Sequence, residues 1–164
     1  MERFSAIQGE HTWFLYFLKC LDGYYYVGVS SNIYARLAWH NRGDGCVITK
    51  AHPPIELIGV WELGTMTYSD AECIEDEFVV FFMSQYGKKV RGGHWSSHKV
   101  NVRKVLSCHN PYSPCEQFEM LPIKFHFAHK RRKRRKQANR RKAKYPKFKT
   151  RDEKVKWICL GSRG

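Results

Sequence analysis

Two tyrosines ten residues apart, Tyr16 and Tyr26, are followed ten residues later by Arg36 and four further on by His40. Well downstream comes an acidic run in which Glu75 stands among Glu72, Asp76 and Glu77. Such residue types can together hydrolyse a phosphodiester, a reaction that needs a deprotonated nucleophile, compensation for charge growing on the phosphoryl oxygens, and help for the leaving alkoxide. A single carboxylate can hold one divalent cation, Mg²⁺ or Mn²⁺, with water and a phosphate oxygen completing the octahedron. An arginine offers a planar fork to the phosphate. Taken singly, each residue has a plainer reading. Tyr24, Tyr25 and Tyr26 suit a strand whatever else they do, Arg36 a solvated helix, His40 a cap or core position, and the acidic run an exposed helix face. The joint spacing is what carries the chemical reading.

The elements that would position these residues are legible around them. Residues 13–20 and 24–29 are apolar, aromatic runs separated by Leu21-Asp22-Gly23, whose Asp-Gly pair predicts a hairpin of two antiparallel strands. Ser31-Asn32 offers a cap, and Ile33, Leu37 and His40 fall on one helical face, predicting a helix over about 32–41 that stops near Gly43 and Gly45. Pro53-Pro54 excludes helix, and 55–63 reads as a third strand. Ser69-Asp70 can cap a second helix over about 70–85, with Ala71, Ile74, Phe78, Phe81 and Phe82 inward, ending by Gly87. Beyond Val90 the pattern weakens; Gly92-Gly93 marks a turn, and Pro111, Pro114 and Pro122 suggest a linker or extended arm. The fold class expected is a small α/β domain, a three-stranded antiparallel sheet flanked by helices, over residues 1–107, then a linker or arm over 108–129 and a tail over 130–164.

Placed on those elements, the site residues resemble the GIY-YIG endonuclease superfamily. Leu15-Tyr16 and Tyr26-Val27-Gly28 resemble the paired tripeptides on the two hairpin strands, Arg36 and His40 occupy the first helix where the family keeps an Arg and a His or Tyr, and Asp70-Ala71-Glu72-Cys73-Ile74-Glu75 resembles the stretch carrying the single metal-binding glutamate. The likeness covers about residues 12–95. It implies a metal-dependent endonuclease hydrolysing DNA, with Tyr16 taking the proton of the attacking water, Tyr26 and His40 orienting that water or sharing the proton, Arg36 on the phosphate, and Glu75 on one Mg²⁺ or Mn²⁺. Two departures stand out. The first tripeptide reads Phe14-Leu15-Tyr16 or Leu15-Tyr16-Phe17, keeping only the tyrosine, and the asparagine often found after the second helix is missing, so that either Arg91, His94 or Asn101 substitutes or the position is unfilled. These departures motivate an alternative, a protein that keeps the fold and binds DNA or structured RNA without turnover.

Charge separates the chain in two. Residues 1–129 hold 12 Lys or Arg against 13 Asp or Glu, whereas 130–164 hold 17 against 2. So basic a tail calls for a polyanionic partner, since each neutralised phosphate releases a counterion. Arg91, Lys130, Arg131, Arg132, Lys133, Arg134, Arg135, Lys136, Arg140, Arg141 and Lys142 are the expected nucleic-acid contacts, giving affinity rather than base reading. With like charges at helical spacing the tail should be disordered or only partly helical when free, and a nuclear localisation signal or a solubilising tail are its plainer readings. An anionic membrane is a poorer partner, because the basic run lacks an interleaved apolar face, and no signal peptide or membrane span is visible. Six scattered cysteines read as reduced thiols, so an intracellular location is expected, in a bacterial or phage-infected cytoplasm rather than a nucleus. A zinc site through Cys108, Cys115, His126 and His129 would have spacings outside those usual for structural sites, and surface thiols and histidines in a basic arm are the plainer reading. Cutting both strands would call for a dimer on DNA, nicking only one copy.

Overall fold

The computed structural model describes residues 9–128. The basic segment, with the expected contacts at 130–142, lies outside them, as does His129. The described residues fall in a unit spanning Met1–His129.

The central strand is β1, His11–Cys20. It turns through Leu21–Gly23 into β2, Tyr25–Ser30, with Asp22 and Gly23 both at positive φ, 59° and 73°, as the Asp-Gly pair predicts for a tight hairpin. Helix α1, Ile33–Arg42, is capped by the Asn32 side chain on the amide of Ala35 and stopped by Gly43 in the left-handed conformation. A short helix α2, Val47–Ala51, precedes β3, Pro54–Met66, and then α3, Tyr68–Tyr86. The cap of α3 is Thr67, which accepts from the Asp70 amide, so the helix starts earlier than the Ser69-Asp70 signal suggested. Two-residue strands β4, Val90–Arg91, and β5, Glu119–Met120, flank a helix α4, Val102–Cys108.

The mixed α/β class holds, but the sheet has five strands rather than three, in the order β4-β2-β1-β3-β5. Nor is it wholly antiparallel, because β4 runs parallel to β2. The two extra strands escaped sequence reading because two residues cannot display a period. Residues expected as a linker or arm run along the domain: β5 pairs with β3, Leu121 donates to the carbonyl of Val60, Phe127 is buried, and the Ala128 amide donates to the Asn41 side chain at 2.8 Å.

Because β1 is buried on both faces, its alternation sorts into two cores. Leu15 and Phe17 join Val27, Trp61, Phe78, Val79 and Phe82 under α3, with the Phe17 and Phe82 rings stacked at 3.9 Å. Tyr16 and Leu18 point the other way, to Tyr26, Leu37, Ile48, Val60 and Phe127 on the α1 side. A tyrosine at the centre of an otherwise apolar β1 face is thus surrounded by core, and its hydroxyl must find partners within the protein. No helix among the described residues is long and apolar enough to cross a membrane.

Candidate active site

Tyr16 lies opposite Gly28 in the β1–β2 register. A side chain at 28 would fall on the Tyr16 hydroxyl and ring, so the glycine is there to admit the tyrosine. Tyr26, on the same face of β2, lies 6.3 Å from Tyr16 between ring centres and is almost fully buried. From α1, Arg36 and His40 are one helical turn apart, which brings both over the same spot. Arg36 donates from Nε to the Tyr16 hydroxyl at 3.1 Å, and His40 Nε2 lies 2.9 Å from that hydroxyl. The Arg36 guanidinium stacks 4.2 Å above the Trp39 ring, and its terminal amino groups make no hydrogen bond among the described residues.

Behind His40 the chain continues: Nδ1 is 3.0 Å from Thr49 Oγ1, which in turn donates to the carbonyl of Cys46 at 3.3 Å. Gly45 makes this possible, since a side chain there would collide with both Thr49 and His40. Burial first, and the Arg36 charge second, hold His40 down at about 3, so the imidazole is neutral. Burial pushes the Tyr16 phenol far above its usual value, although Arg36 pulls the other way by charge and hydrogen bond. At rest this cluster is neutral apart from Arg36.

Glu75 comes from α3 and is 6% exposed. Burial raises its carboxyl to about 7; the Gly93 N–H, bonded to Oε1 at 2.8 Å, opposes that rise, and the charges of Asp76 and Glu72 reinforce it. The Arg36 charge pulls the Glu75 carboxyl down, and the Glu75 charge opposes ionisation of Tyr16 and Tyr26. Beside it, Asp76 accepts from the His94 amide and pairs with the His94 ring, which raises the His94 imidazole above its usual value. Gly93 sits at φ +46°, and a side chain there would strike the Asp76 carboxylate. On the α1 flank Tyr16, Arg36 and His40 are joined by hydrogen bonds with the Tyr26 ring beside them, and on the α3 flank Glu75 is a buried carboxylate bonded to Gly93.

The description GIY-YIG catalytic domain matches residues 12–79. A UPF0213 protein of Staphylococcus epidermidis is 35% identical over 80 residues, which cover 49% of this chain and 95% of the relative. The chain belongs to the GIY-YIG family. A UPF0213 protein of Streptococcus pneumoniae is 43% identical over 49 residues, and one of Nitratidesulfovibrio vulgaris 42% over 51; there the match spans only 50% and 46% of the relative. No solved structure matches the chain. The GIY-YIG domain points to nuclease-type chemistry.

Within this GIY-YIG domain some expected residues take other parts. Arg91, expected at nucleic acid, is 4% exposed and donates to the carbonyls of Lys88 and Val90 at 2.7 Å and of Ser97 at 2.8 Å. Its fork is spent on tying together main-chain carbonyls on both sides of β4, which corrects the earlier expectation. Of the three candidates for the absent asparagine, Asn101 caps α4 and Arg91 is locked in those bonds, which leaves His94 as the one beside Glu75. Thr49, Cys46, Gly45, Asp76 and Gly93 were not singled out from sequence. Gly93 was read there as part of a turn, Gly45 as a helix stop and Asp76 as one of an acidic run, and Thr49 and Cys46 gave no site signal. Among the described residues no group of three or more His, Cys, Asp or Glu gathers to hold a metal, so Cys108, Cys115 and His126 do not converge.

Proposed function

We propose that this chain is a divalent-cation-dependent endonuclease that hydrolyses DNA phosphodiester bonds. The observation that carries the reading is the Tyr16 hydroxyl held at hydrogen-bond distance from both Arg36 and His40, in a GIY-YIG domain that also buries Glu75.

Glu75 suits a hard cation. Its carboxylate is buried beside two like charges with one N–H donor, so a positive ion would offset the repulsion and desolvation that hold its proton on. When bound, Mg²⁺ or Mn²⁺ supplies a Lewis acid for the phosphoryl oxygen and the leaving alkoxide. The rest falls to the protein. Arg36 offers its terminal amino groups to the phosphate, and its turn toward that phosphate uncovers the Tyr16 hydroxyl it covers at rest. Water attacks phosphorus as its proton passes to Tyr16 and the phenolic proton passes on to His40 Nε2. The P–O bond breaks with its electron pair on the departing oxygen, which solvent protonates. His40 starts neutral with a lone pair on Nε2 for that proton, which it takes against the burial and the Arg36 charge that hold the ring down. The tail at 130–164 would add sequence-independent affinity for the DNA backbone.

One observation favours the alternative of a binding protein without turnover. Tyr16 is fully buried, so its hydroxyl meets water only if Arg36 swings toward a bound phosphate. The two readings separate when purified full-length protein is given supercoiled plasmid and labelled branched and linear DNA, with Mg²⁺, with EDTA and as Glu75→Ala. Metal-dependent cutting, lost in the variant while binding persists, supports the nuclease. Tight binding with no cutting under any condition overturns it in favour of the alternative.

A further inference from the structure

The proton positions in the buried chain can be fixed by elimination. The Arg36 guanidinium is always a donor, so its bond from Nε occupies Tyr16 as an acceptor. Tyr16 is fully buried, and among the described residues its own proton has one remaining partner within reach, His40 Nε2 at 2.9 Å. Nε2 must therefore accept, and in a neutral imidazole the proton then sits on Nδ1. Nδ1 faces Thr49 Oγ1 at 3.0 Å. The threonine accepts there and spends its own proton on the Cys46 carbonyl, at 3.3 Å. Each donor has one acceptor, and the direction runs unbroken from Arg36 through Tyr16 to His40, and from His40 through Thr49 to the main chain of Cys46.

We propose that Thr49 is a positioning residue: its hydroxyl, anchored on the Cys46 carbonyl, takes the His40 Nδ1 proton and fixes the tautomer whose Nε2 faces the Tyr16 hydroxyl. The catalytic meaning of this assignment rests on the nuclease reading; the tautomer itself does not. Were the ring free to carry its proton on Nε2, that proton would point at Tyr16, the phenolic proton would lose its acceptor, and the tyrosine could not pass a proton on. Neighbouring structure agrees with the role. Thr49 is 1% exposed, on the five-residue helix α2, and Gly45 opens the space that Thr49 and His40 occupy. Cys46 lies one turn earlier, its sulfur 3.6 Å from Thr49 Oγ1. A valine at 49 would keep the shape and lose both hydrogen bonds; a serine would keep both.

The test uses ¹⁵N-labelled full-length protein, with ring-nitrogen NMR of His40 in wild type, Thr49→Val and Thr49→Ser, and DNA cleavage with Mg²⁺ on the same samples. The expected wild-type spectrum shows one neutral ring, protonated at Nδ1, from pH 5 to 8. Thr49→Ser should match it, while Thr49→Val should show the Nε2–H form or a mixture, with amide spectra confirming that the fold is kept. Cleavage by Thr49→Val should fall about 10- to 100-fold in kcat with KM unchanged, and Thr49→Ser should recover to within about threefold. A wild-type ring protonated at Nε2, or a valine variant with unchanged tautomer and unchanged kcat, overturns the proposal. If wild type cuts no DNA but the tautomer follows Thr49 as stated, the nuclease reading fails and the Thr49 assignment stands. Should Thr49→Val not fold, the wild-type and Thr49→Ser spectra decide it, through the protonated nitrogen they report.

Discussion

The two flanks of the site treat polar groups differently. On the α1 flank, Tyr16, His40 and Thr49 are shut away, neutral, and each hydrogen bond has a direction. On the α3 flank, Glu75 is buried among like charges and the neighbouring Asp76–His94 pair reaches the surface, with the His94 side chain 69% exposed. A proton path needs the first arrangement, because each group must have one donor and one acceptor in register. A cation site needs the second, because binding can draw its energy from relieving repulsion that the empty site stores. Tyr16→Phe breaks the first flank alone. It should lower cleavage about 10³-fold while leaving nucleic-acid affinity unchanged, measured by single-turnover cutting and by filter binding. Cutting within tenfold of wild type would show that the α1 flank is not the proton path.

Two glycines allow the flanks to be damaged separately without replacing a polar residue. Gly28→Ala places a methyl on the fully buried Tyr16 ring, which has nowhere to go, so a loss of about 1–3 kcal/mol in stability and near-complete loss of cleavage are expected. Gly93→Ala meets the Asp76 carboxylate at the end of a side chain that can shift, and positive φ costs about 1–2 kcal/mol. Its cleavage should be restored in part by raised Mg²⁺, because the damage lies beside Glu75. Denaturant unfolding and Mg²⁺ titration of cleavage separate the two. Equal rescue of both variants by Mg²⁺ would erase the distinction between the flanks.

The flanks should also titrate in opposite senses. Glu75 is raised to about 7 in the folded state from 4.5, so the folded protein binds the extra proton and stability falls as pH rises from about 4.5 to 7. His40 is lowered to about 3 from 6.5, so stability falls as pH drops from about 6.5 toward 3. Glu75→Gln should remove the first slope and leave the second, gaining about 1–2 kcal/mol at pH 8 by thermal unfolding. Mg²⁺ should stabilise wild type there and not the variant. A variant less stable than wild type at pH 8 would mean that the ionised Glu75 is not held there against burial and repulsion.

How much of this was readable in the sequence follows the same division. Tyr16, Tyr26, Arg36 and His40 lie on elements whose periods are strong, a hairpin with an Asp-Gly turn and a helix with a cap and a glycine stop, so spacing sufficed to place them. Glu75 could be placed because α3 is 19 residues long. The companions could not. Thr49 sits on one short turn of helix without a period, nine residues from the histidine it touches, and Gly93 and His94 reach α3 only because a two-residue strand pairs in parallel with β2. Arg91 misled because a basic residue near an expected site reads as a phosphate contact, whereas carbonyls before, within and after β4, at Lys88, Val90 and Ser97, take its donors. The chain at 108–128 read as an arm because its prolines and lack of period hide Phe118 and Phe127, which pack on the cores by burial rather than by pattern.

The smallest expected effect is the sharpest test of the acidic flank. Asp76 raises the Glu75 carboxyl through its charge, and it also anchors the His94 main chain next to Gly93, whose N–H lowers the same carboxyl. Asp76→Asn removes the charge but can still accept from the His94 amide. If repulsion is the larger effect, Glu75 should give up its proton at lower pH, and the midpoint for Mg²⁺-induced thermal stabilisation should move acidward by less than about one pH unit. If anchoring is the larger effect, the Gly93 contact loosens and the midpoint moves the other way. The two outcomes differ in sign, so even a shift of a few tenths of a unit tells whether the α3 flank is held together by its hydrogen bonds or strained by its charges.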